Sequence, residues 1–162
     1  MNERLHIRPT TTDDVPLILD FIRALAEYEK LPHEVVADEA TLRDELFGAR
    51  PVAECVIAEY DNAPVGFALF FHNFSTFVGK RGLYLEDLFV KPEMRSQGIG
   101  KALLVYLAQL ARSRNCGRFE WAVLDWNEPS INFYKSLGAK PMNEWTVYRL
   151  TGETLDALSS KN

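Results

Sequence analysis

The chain has 162 residues, 47% of them hydrophobic and 12% aromatic, with a formal net charge of −5. That length and apolar content suit one globular domain with a sizeable core and argue against bulk disorder. The acidic balance disfavours nucleic acid and anionic membrane as partners, because both need basic patches, and it suits a cationic partner.

Arg4 to Arg8 (RLHIR) alternates like a short strand. Thr11 or Thr12 can cap a following helix, with Asp13 and Asp14 in its first turn. Val15, Ile18, Leu19, Ile22, Leu25 and Ala26 then recur at helical spacing. Pro16 is tolerable only near that helix's start, and Pro32 predicts an end near Lys30. A shorter helix is predicted from Glu39 to Phe47, stopped by Gly48. Cys55 to Tyr60 and Val65 to His72 read as two strands joined by the turn Asp61-Asn62-Ala63-Pro64. Arg81-Gly82 opens a third long strand, Leu83 to Val90.

Ile99, Leu103, Tyr106, Leu107, Leu110 and Ala111 mark a helix of about four turns, its body running from Lys101, with Arg112 and Arg114 in its last turn. Phe119 to Leu124 reads as an apolar strand interrupted by Glu120. Pro129 starts a helix that Gly138 ends. Trp145 to Leu150 reads as a final strand. The order β-α-α-β-β-β-α-β-α-β predicts an α/β fold of the α+β type, a mixed sheet with helices on both faces. Residues 1–162 read as one domain, without repeats, linkers or low-complexity segments.

The N-terminal MNERLHIRPTTTDD has no apolar signal core, and apolar stretches reach only about eight residues, too few to span a membrane. Cys55 and Cys116 fall in separate predicted elements. These features predict a reduced, cytoplasmic chain. Asn73-Phe74-Ser75 fits a glycosylation sequon, which has no meaning without secretion. His6, His33 and His72 show no metal-ligand spacing, so no metal is expected.

The chemistry concentrates in LYLEDLFVKPEMRSQGIGKALL, residues 83 to 104. Arg95-Ser96-Gln97-Gly98-Ile99-Gly100 fits R-x-x-G-x-G between a strand and a helix. Such a turn aims successive backbone N–H groups at one spot, the helix adds partial positive charge there, and glycines admit an anion to the backbone. A phosphate or pyrophosphate is the natural guest. A P-loop is excluded: Arg95 stands where its first glycine belongs, and Ala102 where Ser or Thr belongs. A Rossmann turn fits only weakly, with Leu103 in place of its third glycine and Glu120, the acid about twenty residues further on, lying inside an apolar strand. Just upstream, Glu86 and Asp87 are two adjacent acids inside an apolar strand, costly to bury without a partner. Strand alternation predicts that they face opposite sides.

The glycine turn with its preceding LFV resembles the acetyl-CoA pyrophosphate loop of the GNAT (GCN5-related) N-acetyltransferases. LYLEDLFV and DWNEPSINFYKSLGA, with the early IRPTTTDD and ALAEYEK, resemble the diamine acetyltransferase branch of spermidine/spermine and thialysine enzymes. The likeness covers nearly the whole chain. It implies a GNAT fold and transfer of acetyl from acetyl-CoA to a primary amine. An alkylamine has a pKa of about 10.4, so only a very small neutral fraction exists at pH 7. The site must therefore attract a cation, take its proton and hold an oxyanion.

By that resemblance, Glu86 gathers the amine and removes its proton, directly or through water. Leu88, Phe89 and Val90 offer backbone groups to acetyl-CoA where the strand splays from its neighbour, and Leu88 N–H is the candidate oxyanion donor. Arg95, Ser96, Gln97, Gly98, Ile99, Gly100 and Lys101 form the pyrophosphate loop. Asn127, Glu128, Pro129 and Ser130 border the pantetheine arm and the thioester. Tyr134, on periodicity alone a core aromatic, becomes the general acid for the departing thiolate. Tyr28, Glu29, Asp87, Glu120, Trp121 and Ala122 line the acceptor pocket, and Glu144 stands where a further acceptor acid is expected. The resemblance also implies a homodimer, with WTVYRL a plausible interface element. The acceptor stays open between a small cationic amine (polyamine, diamine or thialysine-like), a protein or peptide amine, and an antibiotic amine. A CoA-binding sensor without catalysis is the alternative outside the enzymes.

Overall fold

In the computed structural model, residues 3–161 are described. They form two compact units divided between Leu124 and Asp125. In the first, five strands run in the spatial order β1-β2-β3-β4-β5: β1 is Leu5–Pro9, β2 Glu54–Tyr60, β3 Ala63–Ser75, β4 Lys80–Val90 and β5 Phe119–Trp121. Neighbours from β1 to β4 are antiparallel, and β5 joins β4 in parallel. The sheet is mixed, as expected.

Helix α1, Val15–Tyr28, turns Val15, Ile18, Leu19, Phe21 and Leu25 inward. Thr11 and Asp14 form a reciprocal capping box just before it, and Thr11 N–H donates to Asp14 Oδ2 at 2.8 Å. Lys30 follows the helix with φ 63°, the left-handed conformation that commonly ends a helix. Helix α2, Glu39–Phe47, is capped by Asp38, whose Oδ1 accepts the Thr41 N–H at 2.8 Å. The β2–β3 turn carries Asp61 at φ 50° and Asn62 at φ 64°, the primed geometry that matches strand twist.

Parity divides the core. Cys55 and Ile57 of β2, Phe67 of β3 and Phe89 of β4 join α1 and α2 in one cluster, where Phe21 stacks on Phe67 at 5.3 Å. Val56, Ala68, Phe70, Leu83 and Leu85 are buried too but alternate with that set. They occupy the opposite face, against which α3, Ile99–Ser113, packs. Each fully buried large apolar side chain contributes about 1.5–3 kcal/mol. Arg8 ties β1 to its surroundings, pairing with both carboxylate oxygens of Asp14 at 2.9 Å and with Glu59 at 2.8 Å.

The second unit contains α4, Glu128–Ser136, and α5, Gly152–Ser159. Helix α4 ends at Gly138, φ +87°, in a motif where Ala139 N–H reaches Tyr134 O and Gly138 N–H reaches Lys135 O. Two strand expectations fail here and in β5. Trp145 to Leu150 forms no strand: a strand needs a hydrogen-bonded ladder, apolar alternation supplies none, and the Trp145 N–H is spent on a turn to Met142 O. The strand expected to run to Leu124 stops at Trp121, where its pairing with β4 ends. Helix α5 was not read from the sequence.

Candidate active site

The register of β3 and β4 places a bulge at the two acids. Leu69 opposes Asp87 and Phe70 opposes Leu85, so Glu86 is the inserted residue. The alternation expected for Glu86 and Asp87 therefore breaks: a bulge re-aims side chains. Both acids come within electrostatic range of Glu29, which follows the end of α1. Burial, then Glu86, raises the pKa of Glu29. Burial, then Glu86 and Glu29, raises that of Asp87 to about 7. Glu86 itself is exposed and Asp87 half-buried. Glu29, Glu86 and Asp87 thus form one acidic cluster beside the α1–α2 core.

The same stretch of β4 loses its partner on the β5 side. Parallel pairing is confined to Leu83–Phe119, Tyr84–Glu120 and Leu85–Trp121. From Glu86 to Val90, β4 continues with no β5 residue opposite. Lys91 N–H donates to Val65 O at 2.8 Å, which fixes the phase of the antiparallel ladder with β3. Counting back in twos, Phe89 and Asp87 bond toward β3, whereas Leu88 and Val90 turn their N–H and C=O toward the opened edge. Val90 O behaves accordingly and accepts Arg95 Nε at 3.0 Å. The splay expected from the resemblance is present, with Leu88 N–H along it. Asp87 and Leu88 thus hold an acidic group and an outward backbone donor side by side.

The glycine turn follows. A short 3-10 turn, Pro92–Met94, leads into Arg95, whose guanidinium lies over the rings of Tyr28 at 4.7 Å and Phe89 at 5.5 Å. Arg95 thereby links the end of α1, the open end of β4 and the loop. Ser96 at φ 62° and Gly98 at φ +79° are left-handed. Gly98 is the N-cap of α3 and supplies no side-chain cap, and no acid occupies the helix's first turn. A Cβ at Gly98 would meet nothing within 4 Å, so the glycine serves conformation and leaves open space above the helix N-terminus. Gln97, Ile99, Gly100 and Lys101 complete the turn and the first helical turn, one residue pair earlier than Lys101 had suggested. Uncapped N–H groups and the helix dipole give this turn the chemistry to receive an anion.

Glu120 and Trp121 lie on β5, with Ala122 just beyond it. Glu120 forms an ion pair with Arg118 (Nε to Oε1 2.7 Å) and accepts the Asn73 side-chain N–H at 3.4 Å. Sequence reading missed Arg118, Asn73 and Tyr84. Tyr84, two residues before Glu86, was open to discovery from strand parity. In the second unit, Asn127 is the N-cap of α4 and accepts the Ser130 N–H at 3.4 Å, Glu128 and Pro129 fill the first turn, and Tyr134 lies further along. The rings of Tyr134 and Phe133 are tilted at 45° with centroids 5.7 Å apart. Glu144 sits in the turn before Trp145. Among the described residues, no group of three His, Cys, Asp or Glu side chains could hold a metal ion. No described helix is long and apolar enough to cross a membrane.

Comparison with known proteins decides the family. The model of the acetyltransferase (GNAT) family matches residues 20–139. The chain belongs to the GNAT acetyltransferases. It is an acyl-CoA-dependent N-acetyltransferase. A thialysine N-epsilon-acetyltransferase of Sus scrofa is 41% identical to this GNAT protein, over 96% of this chain and 97% of the relative. An L-ornithine N5-acetyltransferase of Arabidopsis thaliana is 32% identical, over 96% and 88%. Among solved structures, an integron cassette protein from V. cholerae superposes with a TM-score of 0.83 at 26% identity, covering 99% of this chain and 100% of that one. An aminoglycoside acetyltransferase from a soil metagenome, at 20% identity and TM-score 0.77 over 93% and 99%, shares the fold.

Proposed function

We propose that the enzyme moves acetyl from acetyl-CoA to the primary amine of a small cationic acceptor, by direct attack in a ternary complex. The observation that carries this reading is the acidic cluster of Glu29, Glu86 and Asp87 beside the opened edge of β4. The names of the thialysine and ornithine relatives support a small-amine acceptor.

The cluster attracts an alkylammonium ion and then takes its proton; Glu86 draws the cation in, and Asp87, held near neutrality, is poised to receive the proton. The neutral nitrogen attacks the thioester carbon. Leu88 N–H stabilises the resulting oxyanion. The C–N bond forms, the C–S bond breaks, and Tyr134 gives its proton to the leaving thiolate. Phenol and thiol pKa values, about 10 and about 8.5, suit that transfer. The turn from Arg95 to Lys101 holds the pyrophosphate, Phe89 and Val90 meet the pantetheine amides, and Asn127 to Ser130 border that arm. Tyr28, Trp121, Ala122 and Glu144 contribute to the acceptor pocket.

The two units serve as one N-acetyltransferase domain, which the family match running across Leu124 and Asp125 supports. The working form is a cytoplasmic homodimer with no nucleic-acid or membrane partner; the acidic net charge supports the latter. Two variants test the reaction. Tyr134→Phe lowers kcat by about 10²-fold or more with acetyl-CoA affinity preserved, and Glu86→Gln raises the KM for amine. Unchanged turnover in the first variant removes Tyr134 from the chemistry, and an unchanged amine KM in the second removes Glu86.

A further inference from the structure

Beyond Glu86, one sheet face carries a second set of polar groups. Tyr84 lies one same-face row from the bulge and pairs with Glu120 across β4 and β5. Glu120 is held by Arg118 at 2.7 Å and by Asn73 at 3.4 Å. Arg118 lies in turn over Gly82, the next row along: a Cβ built there would stand 3.1 Å from Arg118 Cγ. Gly82 faces Asn73 across β3 and β4, so these side chains share one face with Tyr84. Arg118 and Glu120 are 40% and 36% exposed, open to a ligand. Arg118 Nε is used by Glu120, and its two terminal nitrogens have no other partner among the described residues. The Tyr84 hydroxyl also responds to both ends of the stripe: its pKa is raised by burial, then by Glu86 and Glu120.

The geometry points to Arg118 and Glu120 as the receptor for the head group of an α-amino acid whose side-chain amine is acetylated at the Glu29–Glu86–Asp87 cluster. This rests on the small-amine reading above and narrows it to one substrate class. Rows two residues apart on a strand are separated by about 7 Å. The two nitrogens of an extended ornithine are about 6 Å apart and those of an extended thialysine about 7–8 Å, at ordinary bond lengths. With the reacting amine at Glu86, the α-ammonium falls in the row of Tyr84 and Glu120, and the α-carboxylate reaches the free face of the Arg118 guanidinium. Glu120 keeps its ion pair with Arg118 and gains the ammonium. Arg118 also acts against the alternative: a polyamine would set its second ammonium beside the guanidinium without bringing a carboxylate of its own to pair with it.

The test compares kcat/KM for L-ornithine and thialysine with that for 1,4-diaminobutane and for L-ornithine methyl ester. The diamine lacks the carboxylate, and the ester masks its charge. Wild type favours the free amino acids. Arg118→Gln lowers kcat/KM for them by about 10- to 100-fold, the range for losing a charged hydrogen bond, and changes the diamine and ester by less than about 3-fold. Arg118→Lys restores part of the loss. An equal fall on all four acceptors, or a wild type that prefers the diamine, overturns the assignment while leaving the small-amine reaction standing. Absence of turnover on every small amine by the wild type overturns both. Thermal unfolding of each variant separates a folding defect from lost recognition, and if Arg118→Gln unfolds, Arg118→Lys takes its place, with a smaller loss confined to the free amino acids.

Discussion

Asp87 concentrates the electrostatics of the proposed acceptor site in one carboxyl. Burial comes first, and the charges of Glu86 and Glu29 add to it, so the group titrates at about 7. An incoming alkylammonium favours the charged form and lowers that value, which couples substrate arrival to deprotonation. For the wild type, kcat/KM therefore rises with pH through about 7, and Asp87→Asn loses that inflection. The sign of the stability effect follows from the same shift. The folded carboxyl holds its proton up to about 7 and the unfolded one only to about 4, so folding loses stability as pH rises between those values. Asp87→Asn escapes this loss. Its stability relative to wild type improves from pH 4 to pH 8 by at most about 3–4 kcal/mol, read from urea unfolding at each pH. An equal difference at both pH values contradicts the raised carboxyl.

At the scale of elements, β4 does two things at once. Its β3 edge stays paired through to Val90, while its β5 edge is abandoned after Leu85. The first anchors the strand; the second turns Leu88 and Val90 outward beside the acids. The start of α3 continues this with a left-handed Gly98 and an unoccupied cap. Gly98→Ala must adopt φ +79°, costing about 1–2 kcal/mol of stability, and it weakens acetyl-CoA binding in calorimetry by disturbing the N–H array. Unchanged affinity would separate that turn from the pyrophosphate. The helices, the β2–β3 turn and the glycine turn were legible because their signals are local: 3.6-residue periodicity, Asp61-Asn62, and R-x-x-G-x-G. The bulge was not, because inserting Glu86 depends on how β4 pairs with β3, which β4 alone does not encode. Trp145–Leu150 misled for the converse reason: its alternation is local, and the ladder partner a strand requires is not. Arg118 was hidden by the shortness of β5, where three residues give no usable parity and an Arg reads as solvated surface.

For the whole molecule, the homodimer proposal is open to direct measurement. Val147 and Tyr148 are 86% and 93% exposed, a large apolar surface for a segment without a ladder. Light scattering is expected to give about twice the 18.5 kDa chain mass, and Val147→Glu is expected to lower it toward one chain. A wild-type mass near 18.5 kDa contradicts the dimer. The acidic balance of the chain agrees with a cationic acceptor that is drawn to the protein before it meets Glu86. The reaction itself is tested most directly by thiol release from acetyl-CoA over spermidine, 1,4-diaminobutane, L-ornithine, thialysine and a lysine-containing peptide. Turnover on the small amines, strongest for ornithine or thialysine and negligible for the peptide, is the expected result. Turnover confined to the peptide, or acetyl-CoA binding without transfer to any amine, would contradict it.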